Sequence, residues 1–155
     1  MKIAILASRS GANALQFLSS LASLDPTVDV GIVIGNDVGK ELQYACEKQN
    51  LQFLRVKNFP LNERWHFERQ FVSQLRDLSP DLIVSCSFSR ILSERALASL
   101  PLSINSHPSL LPAFKGRVNG LKPIDAALAS GVKFLGVSIH VITKEMDSGP
   151  LILQA

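Results

Sequence analysis

The sequence predicts an α/β protein with a doubly wound, mostly parallel sheet and helices on both faces. Three observations carry that expectation. Short runs that are almost wholly apolar recur along the chain, and longer segments with helical spacing of apolar residues separate them. Strands of that composition are buried on both sides, which requires a helical layer over each face of the sheet. The chain has 155 residues, 46% of them hydrophobic, so residues 1–155 are expected to form one domain.

The elements follow in order. Ile3 to Ala7 reads as the first strand, since its apolar stretch ends at Ser8 and Arg9 and is too short for the apolar core of a secretory signal. Val28 to Ile34, Leu51 to Val56, Leu82 to Ser85, Leu102 to Asn105, Leu135 to Ile142 and Leu151 to Leu153 continue the series of strands. Helical spacing marks Ala12 to Ser23, Gly39 to Gln49, Leu61 to Leu78, Ser93 to Ala98 and Leu121 to Ser130. Ser79-Pro80 closes the third helix, because proline cannot continue the ladder and biases its predecessor away from helix. Ser93 is a predicted N-cap.

Composition excludes several function classes. Sixteen Lys and Arg face thirteen Asp and Glu, a net charge of +3, and the basic residues are scattered with little aromatic interleaving. That pattern does not suit a general nucleic-acid binder, while the basic balance suits a phosphorylated small molecule. No apolar run approaches a membrane span, so no membrane association is expected. Cys46 and Cys86 are far apart and lack CxxC spacing. They read as neither a zinc site nor a disulfide framework, and they point to a reducing cytoplasm. The histidines and cysteines form no ligand pattern, so no metal is expected.

In doubly wound sheets the ligand lies beyond the carboxyl ends of the strands. That rule directs attention to Ser8–Asn13, Ser85–Leu92, Asn105–Gly116 and Thr143–Pro150. Gly11 sits at a strand-to-helix turn where backbone N–H groups can hold a phosphate, or where Ser10 simply caps a tight turn. Neither a dinucleotide nor a nucleoside-triphosphate fingerprint is present there. Asn105 and His107 project to one side of an extended segment, with Pro108 and Pro112 stiffening the loop behind them. Asp147 is either a turn aspartate bonding its own backbone or the partner of His107. His140, inside an apolar strand, is expected to be structural.

Asn105-Ser106-His107-Pro108-Ser109-Leu110-Leu111-Pro112, followed by Asp147-Ser148-Gly149-Pro150, closely resembles the folate-dependent formyltransferases, most of all their phosphoribosylglycinamide formyltransferase branch. The likeness extends over essentially the whole chain, including Met1 to Asn13, Phe88 to Ser93 and Gly149 to Gln154. It implies a Rossmann-like formyltransferase fold. It also implies a purine-biosynthetic activity: transfer of a formyl group from 10-formyltetrahydrofolate, the co-substrate, to the primary amine of glycinamide ribonucleotide. By the same resemblance Asn105, His107 and Asp147 are catalytic, and Gly11, Ala12 and Asn13 hold the substrate phosphate with Arg64 nearby. Arg90, Ile91 and Leu92, together with Ile142, Thr143, Lys144, Glu145 and Met146, line the pterin end of the folate. Arg64 also has a plainer reading, as part of a solvated face of the Glu63–Arg69 helix.

Three departures from the family pattern stand out. Ala12 replaces a family serine in the phosphate turn and lacks its hydroxyl. Arg117 to Ile124 is slightly longer than the usual connection and carries Pro123 near a helix start, where proline is tolerated. The family's further strand and helix are expected to be missing after Gln154-Ala155, which would leave an apolar edge for self-association or for a partner. Two other readings therefore remain open: a formyltransferase acting on a sugar amine or an aminoacyl-tRNA, and a non-catalytic paralogue that binds folate or a partner.

Overall fold

The computed structural model describes residues 1–58, 60–116 and 118–155, with Leu61 described by its backbone alone. Arg117, which opens the lengthened connection, thus lies outside the described residues. Two compact units, Met1–Ser103 and Ile104–Ala155, make up the chain.

The first unit runs β1 (Lys2–Ser8), α1 (Ala12–Leu24), β2 (Asp29–Asn36), α2 (Lys40–Lys48), β3 (Phe53–Val56), a 3-10 turn (Leu61–Glu63), α3 (Arg64–Leu78), β4 (Leu82–Cys86) and α4 (Glu94–Leu97). Its strands lie parallel in the order β3-β2-β1-β4. Every residue of β1 from Ile3 to Ser8 is buried, which explains why the run is apolar without alternation. The alternation appears in what each face meets. Ala4 and Leu6 pack with Phe67, Phe71 and Leu75 of α3, whereas Ile3, Ile5 and Ala7 pack with Ala14 and Leu18 of α1 and with Leu42 and Cys46 of α2. Helices therefore cover both faces, as a doubly wound sheet requires.

Local signals set the helix ends. Ser93 accepts the Ala96 N–H on its hydroxyl at 3.1 Å, the expected N-cap. Ser79 adopts φ 47° after α3, ahead of Pro80. The predicted Leu61–Leu78 helix is α-helical only from Arg64, its first residues forming the 3-10 turn behind Pro60. Cys46 and Cys86 are free and buried, and burial pushes each thiol up to about 11, so both stay protonated.

The second unit contains most of β5 (Ser103–His107), then α5 (Pro123–Ala129), β6 (Ser138–Val141) and β7 (Leu151–Gln154). Here lie the antiparallel pairs that make the sheet mostly rather than wholly parallel, as expected: β6 runs antiparallel to both β5 and β7. The segment between β6 and β7 holds no helix to carry a parallel crossover, so the chain reverses. β5 continues two residues beyond the predicted Asn105, because Ser106 and His107 pair with Ile139 and Ser138. The predicted Leu135–Ile142 strand contracts to four residues. Pro123 occupies the first turn of α5 as expected. Large apolar side chains of this unit are exposed, including Leu128, Phe134 and all three of Leu151, Ile152 and Leu153.

Candidate active site

β5 ends on Asn105 and His107, two residues apart and on one side of the strand. His107 is buried, and both of its ring nitrogens face acceptors. Nδ1 lies 3.3 Å from Asp147 Oδ2, and Nε2 lies 3.2 Å from the Phe114 carbonyl. Neither partner can donate, so the doubly protonated imidazolium satisfies both contacts. Burial by itself would push the His107 pKa down. The hydrogen bond and charge of Asp147, with the Phe114 carbonyl, outweigh it and raise the group above its ordinary value. Burial likewise would raise Asp147, but the His107 bond and charge, the Gly116 N–H and the charge of His140 leave its carboxyl below the usual range.

Asp147 reaches this position through an uncommon backbone. It adopts φ 50°, in the left-handed region that a short polar side chain tolerates better than most. Its Oδ2 accepts the Gly116 N–H at 3.1 Å. Two positions further, a Cβ on Gly149 would overlap the Val141 carbonyl, while the Val141 N–H donates to Pro150 O at 2.9 Å. The Asp-Ser-Gly-Pro run is thus a turn pressed against the end of β6, and that turn aims the carboxylate at His107. Of the two readings that sequence left open for Asp147, partnership with His107 is the one realised.

The loop behind His107 is bolted to β6 and β7. Ser138, fully buried, accepts the Leu111 N–H at 2.9 Å and donates to Ser109 O at 2.7 Å. Gln154 donates to Leu111 O at 3.0 Å and to Ser138 Oγ at 2.8 Å. Ser109 closes the loop by donating to Ala113 O at 2.6 Å.

His140 was expected to be structural, and it is buried, yet it belongs to this constellation. Its Nδ1–H donates to the Val141 carbonyl at 2.9 Å. Its other ring nitrogen, Nε2, faces Asn105 Nδ2 at 3.2 Å. The same nitrogen stands 3.6 Å from Asp147 Oδ1. Sequence reasoning missed His140, Ser138 and Gln154 because their roles depend on pairing between distant strands. The i,i+2 spacing of Ser138 and His140 on one strand face was the available signal. Among the described residues no group of three His, Cys, Asp or Glu side chains could hold a metal ion.

The remaining predicted site residues are placed as follows. Gly11 adopts φ 73°, and a Cβ there would come within 2.9 Å of Leu42. The Ala12 N–H donates to Ser10 Oγ at 3.3 Å, the local bond expected of a tight turn, and Asn13 Nδ2 donates to Ser87 Oγ at 2.6 Å. Arg64 begins α3 and is half-buried. It comes from the helix layer opposite the one that α1 extends from Gly11. Arg90 is half-buried, Ile91 is exposed and Leu92 is buried in the α3-side core. In the second unit Lys144, Glu145 and Met146 are exposed, with Ile142 and Thr143 half-buried, and Thr143 Oγ1 donates to Glu145 O at 3.0 Å.

A buried imidazolium held by a carboxylate, beside a side-chain amide at a strand end, is the equipment of a protein that stabilises an oxyanion and moves a proton. Comparison with known proteins narrows this class. The formyl transferase family matches residues 1–155, and the chain belongs to that family. It is 34% identical over 128 residues to formyltetrahydrofolate deformylase of Haemophilus influenzae, covering 82% of this chain and 44% of that protein. With methionyl-tRNA formyltransferase of Thermotoga maritima the identity is 36% over 112 residues, covering 71% of this chain and 32% of that one. The chain therefore spans less than half the length of these two relatives. Among solved structures, glycinamide ribonucleotide transformylase 1 from Symbiobacterium toebii superposes with a TM-score of 0.86 at 29% identity, over 100% of this chain and 72% of that one. The fold is the Rossmann-like formyltransferase fold. No helix among the described residues is long and apolar enough to cross a membrane.

Proposed function

We propose that this protein transfers the formyl group of 10-formyltetrahydrofolate to the primary amine of glycinamide ribonucleotide. The observation that carries the reading is the Asn105–His107–Asp147 constellation, in which Asp147 Oδ2 stands 3.3 Å from His107 Nδ1. The amine nitrogen attacks the formyl carbon, and the carbonyl electron pair moves onto oxygen. Asn105 Nδ2–H and His107 Nε2–H donate to that oxyanion, the latter leaving the Phe114 carbonyl to do so. Asp147 keeps His107 charged and passes the proton lost by the amine, through water, to the folate nitrogen as the C–N bond breaks. Gly11, Ala12 and Asn13 hold the substrate phosphate with Arg64. Arg90, Ile91 and Leu92 and the segment Ile142 to Met146 line the folate.

The Symbiobacterium likeness supports glycinamide ribonucleotide as acceptor, with residues 1–155 acting as one catalytic domain in purine biosynthesis. The unpaired Cys46 and Cys86 support a cytoplasmic location. The exposed apolar side chains of α5 and β7 are where self-association or a partner would attach. A second reading, with water as acceptor, draws on the Haemophilus deformylase likeness. Absorbance-monitored transfer by the 155-residue protein separates the two. We expect tetrahydrofolate to form only when glycinamide ribonucleotide is present, and His107→Ala to abolish it. Formate release without any amine would establish the hydrolytic reading, and full turnover by His107→Ala would overturn both.

A further inference from the structure

At the carboxyl ends of β1 and β2, polar side chains of the first unit form a hydrogen-bond circuit that ends on Arg90. Asn36, the last residue of β2, is 1% exposed, so both ends of its amide need partners. Its Nδ2–H donates to Asn58 Oδ1 at 2.7 Å, and its Oδ1 accepts from Ser8 Oγ at 3.5 Å. Ser8, at the end of β1, accepts the Ser89 N–H at 3.0 Å on the same hydroxyl. Arg90 donates Nη2–H to Asn58 Oδ1 at 2.8 Å and lies over the Phe67 ring, 5.4 Å from its centre. The circuit thus leaves the backbone of residue 89 and returns on the side chain of residue 90.

Its direction is dictated by chemistry. A guanidinium has donors only, so Asn58 must turn its oxygen toward Arg90. Asn36 must then offer its NH2 to that oxygen, which leaves its own oxygen for the Ser8 hydroxyl. Arg90, which has no acceptor, fixes Asn58 directly and Asn36 through it.

We infer that Asn58, anchored by buried Asn36, is a positioning residue that presets the Arg90 guanidinium for the folate co-substrate. The inference rests on the proposed reading of Arg90 as a folate-lining residue. A long half-buried side chain left unheld has many rotamers, and ordering it on binding weakens the complex. Held by Asn58 and stacked on Phe67, Arg90 is ordered beforehand. Nothing in the local sequence around Asn58 marks it, since the chain folds it beside Arg90 from 32 residues away.

The test is calorimetric titration of the 155-residue protein with tetrahydrofolate, together with steady-state transfer kinetics. Asn58→Leu is expected to raise Kd about 5- to 10-fold, the effect of having to order one long side chain on binding. kcat should change less than about twofold, because ordering before binding acts on affinity. Asn58→Asp keeps both acceptor contacts and should restore Kd to within about twofold. Arg90→Ala should raise Kd at least as much as Asn58→Leu, and the double variant little more than Arg90→Ala alone. Asn58→Leu also leaves the buried Asn36 NH2 without its acceptor, so thermal unfolding verifies that each variant is folded at the titration temperature, and Asn58→Asp, which keeps that contact, separates positioning from stability. A raised Kd in Arg90→Ala with none in Asn58→Leu overturns the positioning role and spares the folate reading. Failure of Asn58→Asp to rescue also overturns it. An unchanged Kd in Arg90→Ala overturns the folate reading of Arg90 and the inference with it.

Discussion

Replacing Asp147 by Asn removes the charge that holds His107 and leaves the shape of the site almost unaltered. The carboxylate and imidazole are 11% and 7% exposed, so solvent screens the pair weakly and a charge-assisted bond of about 1.5–3 kcal/mol is at stake. An Asn side chain can still accept the Gly116 N–H, which keeps the 143–150 turn in place. It cannot favour the imidazolium by charge, so the His107 pKa falls. kcat for formyl transfer should drop about 10²- to 10⁴-fold, the usual contribution of a positioned acid–base group, with Kd for tetrahydrofolate moving less than about threefold.

The same pair ties stability to pH. His107 is raised above 6.5, so its share of stability is complete below 6.5 and disappears as pH rises through its folded value. Asp147 is held below 3.8, so its share is present above 3.8 and disappears as pH falls through its folded value. The stability difference between wild type and Asp147→Asn should therefore be largest between pH 3.8 and 6.5. Single-turnover kinetics, calorimetry and an NMR titration of His107 measure these quantities. Equal losses in kcat and folate affinity, or an unmoved His107 titration, would refute the reasoning and leave Asp147 as a loop-shaping residue only.

Other perturbations follow from the same geometry. Ser138→Ala leaves the buried Leu111 N–H without its acceptor and should cost about 1–3 kcal/mol in urea unfolding, with a fall in kcat as the His107 loop loosens. Gly149→Ala drives a methyl group into the Val141 backbone; the turn carrying Asp147 must shift, and activity should fall more steeply than the melting temperature. Ala12→Ser adds a hydroxyl to the turn proposed to hold the phosphate and should lower KM for glycinamide ribonucleotide about fivefold, with kcat unchanged. An unaltered KM there would place the phosphate elsewhere. Gly11→Ala combines a Leu42 contact with φ 73° and should destabilise the first unit by about 1–3 kcal/mol.

Much of this protein was legible in its residues. The doubly wound unit could be read from apolar runs and helical spacing, because strands buried on two faces tolerate few polar residues and amphipathic helices repeat at 3.6. Asn105 and His107 could be placed on one side of a strand end, since extended chain alternates with period two. Pro123 and Ser93 marked helix starts through their own backbone chemistry. What the local sequence did not contain were contacts whose energy comes from residues far along the chain. The antiparallel β5-β6-β7 pairing carried β5 on to His107, and the close turn at Gly149 swung Asp147 to within 3.3 Å of it. His140 looked like a core residue because burial and apolar neighbours are all that a linear reading sees. Asn105 and Asp147, which give it a place in the site, arrive from other elements. Residue types and spacing determined which side chains are equipped for proton transfer, whereas only tertiary packing decided which of them meet, because a hydrogen bond depends on distance and angle in space rather than on separation along the chain.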